Sequence, residues 1–568
     1  MAHTSTFKSL QMKIKFFLCA ALTWVALGSQ AQLSAPTENW QHLDKVKDGV
    51  FGVSTEKTYA ELLSGRTSRP VVVAVIDGGV DPYHEDLKDV MWRNPGEIPD
   101  NGVDDDRNGY VDDVFGWNFI GGKDGENVHH DQLEITRLYV KYHEQFANAD
   151  PEKLKKKDRK AYEQYKSFES IILEKRDEAA QNAATYTSML EAIEKVRQVV
   201  GKSNLTNADL DEFSSDDPTV KRTAQIMKSM LAKGGTVDDL REQLEGAADY
   251  FRSQAEYNYN PNLKVRQIVG DNYLDANERF YGNNDVKGPD ASHGSHVAGI
   301  IGAKRNNGIG MDGVADNVRI MAIRCVPDGD ERDKDVANAI RYAVDNGASV
   351  INMSFGKGHS WNKQAVDAAV RYAMENDVLI VHAAGNSHQN NDETANFPNK
   401  YFEKRGFPLR PKAAGNWVEV GALSWKAGAE MPANFSNYGK KNVDLFAPGV
   451  DIFSTFPDNE YDAISGTSMA SPVVAGVAAV IRSYFPDLTA RQVREVLLSS
   501  TVMTKDAMVR IPGGDPEKLV PFQELCVTGG VVNVYESVLA ASKTKGKAKR
   551  KSSAASSGGA TGGKPGKA

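Results

Sequence analysis

Short apolar runs bounded by glycine or by polar turn residues recur in two stretches of the chain. A long charge-rich segment with apolar residues every three or four positions separates them. The first run, Val71-Val-Val-Ala-Val-Ile76, is continuous and mostly β-branched, as in a strand buried on both faces. Runs at Val318–Val326, Ser349–Met353, Val378–Val381, Trp417–Gly421 and Val443–Phe446 predict further strands. Between them, Val336, Ile340, Ala343 and Val344 mark one helix face, and Val366, Ala369, Val370 and Ala373 mark another. Ser292 opens a helix, and Val473–Val480 reads as a buried one with Pro472 in its first turn. Strands alternating with helices predict an α/β fold: a mostly parallel sheet with helices on both faces.

The intervening segment, residues 126–265, has a different pattern. No proline or glycine occurs between Pro151 and Gly201, where Lys, Glu, Ala and Gln dominate. One or two long helices are expected there, about 70 Å if continuous. Tyr162, Tyr165, Ile172, Ala179, Ala183, Tyr186, Leu190, Ile193 and Val200 form a seam that Glu169, Arg176 and Arg197 interrupt. Further helices are expected near 219–233 and 237–255. This is an inserted all-helical subdomain, either a lid, an arm for a protein partner, a folding aid, or an insertion tolerated in a surface loop.

Composition refines the organisation. The chain has 568 residues, net charge −8 and 40% hydrophobic residues. Its mean hydropathy of −0.46 argues against a polytopic membrane protein. Lys8, Lys13 and Lys15 precede an apolar stretch, Phe16–Leu27, too short to span a bilayer, and Ser29-Gln30-Ala31 fits a cleavage site. Residues 1–31 therefore read as a signal peptide of a secreted, periplasmic or cell-surface protein without a transmembrane anchor. The core follows in two parts, 32–125 and 266–542, flanking the insertion at 126–265. Residues 543–568 carry eight basic residues and no acidic one, and read as a disordered tail. No nucleic-acid partner is expected. Cys325 and Cys526 either form one bridge or remain buried thiols.

Polar groups fall where apolar runs end. Asp77 follows the first strand beside two glycines, on the side where open α/β sheets keep their sites. His293 stands at a helix start before Gly294. Ser468 stands between Gly466 and a helix, near free backbone N–H groups. Acyl transfer needs a nucleophile, a base, a group that orients the base, and oxyanion donors. Ser468, His293, Asp77 and Asn386 supply one of each. A zinc helix motif is disfavoured, because no Glu lies between His293 and His296. In the acidic loop 97–118, Asp104, Asp106, Asn108, Tyr110 and Asp112 follow calcium-loop spacing, but Phe115 stands where the closing Glu belongs. Six aspartates between Asp100 and Asp113 repel one another unless a cation is present, so a structural calcium is expected there; a solvated turn is the alternative.

Asp77-Gly-Gly, His293-Gly-Ser-His-Val-Ala-Gly, Ala384-Gly-Asn386 and Gly466-Thr-Ser-Met-Ala-Ser-Pro472 together resemble the four signatures of the subtilisin family of serine proteases. Asp, His and Ser occur in that family's order. Phe435-Ser-Asn-Tyr-Gly439 and Ala447-Pro-Gly449 agree. The resemblance covers roughly 40–125 and 265–542, with a long helical insertion between the Asp and His motifs. It implies a subtilisin-like fold and a secreted serine endopeptidase acting on proteins or peptides, with no cofactor for catalysis. Asp77, His293 and Ser468 would form the triad, and Asn386 would serve the oxyanion. Ser354, Phe355 and Gly356 would bind substrate as an added strand. A catalytically silent peptide-binding scaffold and a transpeptidase are the alternatives. Ser295 replaces the family's usual threonine. The short leader before Val71 leaves no room for the usual inhibitory prodomain, so the insertion is expected to assist folding.

Overall fold

The computed structural model describes residues 37–404, 411–503 and 506–547. The signal peptide expected at 1–31 lies outside them. Seven strands form one sheet: β1 (Val71–Asp77), β2 (Gly116–Asn118), β3 (Val318–Arg324), β4 (Val350–Met353), β5 (Leu379–Ala383), β6 (Trp417–Leu423) and β7 (Leu445–Pro448). Their order is β2-β3-β1-β4-β5-β6-β7, and every neighbouring pair is parallel.

The continuous apolar run at β1 has a direct cause. Val71, Val73 and Val75 enter one hydrophobic core, while Ala74 and Ile76 enter a second core on the opposite face. Both faces are covered, so neither can be polar. After β1 the chain fills one side, the edge strand β2 first and then β3 between it and β1, before crossing to β4 on the other side, which puts the end of β1 at a switch point of the sheet. Register aligns the neighbouring ends: Ile76 lies opposite Met353, and Met353 opposite His382. Asp77, Ser354 and the turn after Ala383 therefore share one rim.

The insertion contains five helices: α1 (Glu134–Phe146), α2 (Lys156–Val200), α3 (Asn207–Glu212), α4 (Pro218–Ala232) and α5 (Val237–Ser253). Helix α2 is a single element of 45 residues, about 68 Å long at 1.5 Å per residue. Its imperfect seam follows from a change of partner along its length. Tyr165, Phe168 and Ile172 pack on Leu138, Tyr139 and Phe146 of α1. Ala192, Ile193 and Val196 pack instead on Val220, Met227, Leu240 and Leu244 of α4 and α5. No single stripe has to run the whole length, so Tyr162, Ala183, Tyr186, Leu190 and Val200 are only half-buried. Thr206 and Thr236 close capping boxes with Asp209 and Asp239 at the starts of α3 and α5.

The second half of the core adds α6 (Ser292–Gly302), α7 (Asp333–Asp345), α8 (Lys363–Glu375), α9 (Thr467–Tyr484), α10 (Ala490–Ser499) and α11 (Val534–Lys543). Helices α6 and α9 lie on one face of the sheet, and α7 and α8 on the other. The first residues of the tail expected from 543 are instead packed on the core. Lys543 closes α11, and the Lys545 carbonyl and Lys547 N–H both bond the Gln492 side chain. Residues 548–568 lie outside those described. Cys325 and Cys526 are both free and buried.

Candidate active site

Asp77 ends β1 at 2% exposure. Its Oδ1 accepts the Gly78 N–H at 2.7 Å and the Nδ1 of His293 at 2.7 Å. The two residues are 216 positions apart in the chain, so the whole helical insertion leaves and returns between them. Glycine at 294 permits the approach: a Cβ there would lie 2.0 Å from the Gly79 carbonyl oxygen and 3.1 Å from Asp77 Cβ. Because the carboxylate accepts, Nδ1 carries the proton and Nε2 keeps its lone pair. Burial opposes a charge on the ring, but the charge of Asp77, the bond to it and the charge of Asp290 outweigh that. The His293 pKa lies above its ordinary value.

Ser468 is the second residue of α9, whose N-cap is Gly466. Pro472 was expected in the first turn of this helix, but α9 begins at Thr467 and Pro472 falls inside it. A proline there cannot donate to the carbonyl four residues back, which is that of Ser468. The Ser354 hydroxyl fills the vacant role, donating to the Ser468 carbonyl at 2.9 Å. The Ser468 hydroxyl in turn donates to the Ser354 carbonyl at 3.0 Å. Asn352 supports the arrangement by bonding both the Ser354 and Ser471 hydroxyls.

Asn386 lies in the turn after β5. Its Oδ1 accepts from the Thr467 backbone N–H and from the Thr467 hydroxyl, both at 2.9 Å. The side-chain oxygen is thereby engaged, and the amide Nδ2 is the end left to meet a ligand. Asn437 braces the same turn through Ala384, Ser387 and Gln389. Thr467, Asn352 and Asn437 were not singled out by sequence reasoning. Thr467 could have been, since it sits inside the Gly-Thr-Ser motif. Asn437 could have been as well, inside Phe435-Ser-Asn-Tyr-Gly439, whereas Asn352 acts across the fold and carries no local signal.

Ser354, Phe355 and Gly356 continue from β4 beside Ser468. Phe355 is half-buried and Gly356 exposed, so this edge is open. His296 is separate from the site. It is fully buried and bonds the Ile452 carbonyl at 2.8 Å.

The acidic loop divides its side chains between two tasks. Asp104 accepts the N–H groups of Asn108 and Gly109, and Asp112 those of Asn101 and Gly102, so both shape the loop itself. The Tyr110 ring is buried among Trp117, Phe119 and Tyr342. Asn108 donates its side-chain amide to Asp106 and Asp113. Among the described residues, carboxylate oxygens of Glu97, Asp106 and Asp113 lie within 4.8 Å of one another. Of the set expected from spacing, only Asp106 belongs to this cluster. Burial raises Asp113 to about 6 against the bonds from Tyr342, Asn94 and Asn108, and the Asp106 charge adds to the rise. Burial and the charges of Asp106, Asp105 and Asp104 likewise raise Glu97. Glu97 Oε2 is buried without a hydrogen-bond partner. Three hard oxygen donors with an unmet acceptor suit a calcium ion.

Comparison with known proteins agrees with this geometry. The sequence profile of the Subtilase family matches residues 68–517. A thermophilic serine proteinase of Bacillus sp. (strain AK1) is 40% identical over 226 residues, covering 39% of this chain and 49% of that protein. Subtilisin DY of Bacillus licheniformis is 37% identical over 245 residues, covering 42% and 79%. The major intracellular serine protease of Bacillus subtilis (strain 168) is 35% identical over 238 residues, covering 42% and 68%. The matched region thus spans about half the first relative's length and more of the other two. With a profile match across most of its length and a parallel sheet carrying the Asp, His and Ser motifs on one rim, this chain belongs to the Subtilase family.

Proposed function

We propose that the chain is a secreted serine endopeptidase. The observation that carries this reading is the 2.7 Å bond from His293 to a buried Asp77, on the rim that also holds Ser468 at a helix start. Asp77 holds the imidazole in the tautomer that leaves Nε2 free. In this reading the Ser468 hydroxyl gives up its bond to the Ser354 carbonyl and turns to that nitrogen when substrate binds. Such contacts are often loose before substrate binds. His293 takes the hydroxyl proton as Ser468 Oγ attacks the peptide carbonyl, then returns a proton to the leaving amine. The Asn386 amide and the Ser468 N–H at the start of α9 meet the oxyanion. Ser354, Phe355 and Gly356 pair with the substrate backbone as an added strand.

A calcium ion held by Glu97, Asp106 and Asp113 would neutralise the acidic loop. Glu97 would supply, from before the loop, the carboxylate that Phe115 does not. Among the described residues no helix is long and apolar enough to cross a membrane. The leader motif supports export to the periplasm, the cell surface or the medium.

A fluorophosphonate probe tests the assignment. Labelling that maps to Ser468 and disappears in His293→Ala is expected. An unlabelled Ser468 in the unaltered chain would favour a silent peptide-binding scaffold.

A further inference from the structure

The substrate-binding edge is held at both ends, and one end is held by the insertion. At its start, Ser354 and Ser468 exchange the two hydrogen bonds described above. At its end, Lys357 turns inward and is completely buried. Its Nζ donates to Glu134 at 2.6 Å and lies 2.8 Å from Asp333. Glu134 is the first residue of α1 and is itself completely buried. A buried ammonium is strongly unfavourable unless paired, so Lys357 follows wherever these carboxylates are held.

Glu134 is fixed in turn. Its N–H donates to Asp330 at 2.7 Å, and its carboxylate pairs with Arg137 at 2.9 Å. Arg137 reaches the Asp330 and Glu331 carbonyls. Asp333 also accepts from the Ser360 hydroxyl and the Asn362 N–H, both at 2.6 Å. Two more contacts come from the insertion. The Phe168 ring of α2 meets His359 edge-on, with centroids 5.2 Å apart, and Lys141 of α1 sits 4.1 Å from the centre of the Trp361 ring. The loop from Ser354 to Trp361 is thus clamped between the nucleophile's helix and the root of the insertion.

We infer that the helical insertion sets the position of the substrate-binding edge, with Glu134 acting as a positioning residue through Lys357. This rests on the endopeptidase reading. Weakening the clamp at the Lys357 end should loosen the edge that pairs with an extended peptide, while Ser354 stays bonded to Ser468 and the His293–Asp77 bond is untouched.

The test compares the unaltered chain with Glu134→Gln, Glu134→Asp and Phe168→Ala. Each is assayed for fluorophosphonate labelling, hydrolysis of p-nitrophenyl acetate, and kcat and KM on a tetrapeptide amide. Glu134→Gln should raise the peptide KM about 10-fold, while labelling and ester hydrolysis stay within about 2-fold. Glu134→Asp should recover part of the loss. Phe168→Ala, remote from the buried charges, should raise KM in the same direction by about 3-fold and decides the matter if Glu134→Gln does not fold. A peptide KM that does not move in either variant, or labelling and ester hydrolysis that fall together with peptide hydrolysis, would overturn the inference. An unaltered chain that takes no label would instead remove the endopeptidase reading beneath it.

Discussion

Thr467 gives both of its hydrogens to Asn386 Oδ1, and this fixes which end of the amide faces the rim. In the proposed mechanism, replacing Asn386 by Ala would remove a donor aimed at charge that exists only in the transition state. kcat should fall about 10²–10³-fold with little change in KM; this magnitude is carried over from loss of the equivalent donor in subtilisin itself rather than derived for this chain. Steady-state kinetics on a peptide amide measure it, and a loss confined to KM would contradict the role. In the proposed mechanism His293 must be neutral to accept the serine proton, and its pKa is raised by Asp77 and Asp290 against the effect of burial. The acidic limb of kcat/KM should therefore lie above the ordinary histidine value of 6.5, with activity falling as pH drops through it. A pH–rate profile with its limb below 6.5 would show that these carboxylates do not control the ring.

The acidic loop and the long helix show what pattern alone conveys about an element. Spacing pointed to a loop of calcium-binding type, because Asp and Asn alternate before Gly109; whether a cation occupies it is part of the proposal. Spacing did not identify the donors, because Asp104 and Asp112 are used on the loop's own backbone while Glu97 and Asp113 converge from outside the motif. The proposed cation at Glu97, Asp106 and Asp113 would compete with the proton on Asp113, whose pKa burial raises to about 6. Removing divalent ions should lower the melting temperature at pH 7.5 and do so much less at pH 5.5. Asp113→Asn should abolish the difference, and thermal denaturation with and without chelator checks both. The lack of proline and glycine made one or two long helices legible, and the structure resolves them as the single helix α2. Its change of partner was not legible, since a one-dimensional seam cannot say which neighbour each turn will meet.

Across the whole molecule, two buried histidines tie stability to pH. Burial, with help from Arg305, lowers His42 to about 4. Burial also lowers His296 to about 4 despite its bond to Ile452, and the charge of His293 adds to the effect. Both stay neutral in the fold but take up protons when unfolded below pH 6.5. Their contribution is complete above 6.5 and is lost as pH falls toward 4, at about 1.4 kcal/mol per pH unit for each. Urea unfolding at stepped pH should show the decline, and His42→Gln should make the slope shallower by one such increment. An unchanged slope in that variant would remove His42 from the account.

What the sequence determined by itself is local or periodic: the buried strands, the helices on either face, the glycine at 294, and the four motifs at strand and helix ends. Each follows from a repeat or a steric need that neighbouring residues express. The tertiary structure alone decided which distant groups satisfy one another. Pro472 leaves the Ser468 carbonyl for Ser354, Lys357 goes inward to Glu134, and Asp113 is met by Tyr342, Asn94 and Asn108. Those pairings answer the cost of burying an unmet polar group, and that cost exists only once the chain has closed around it.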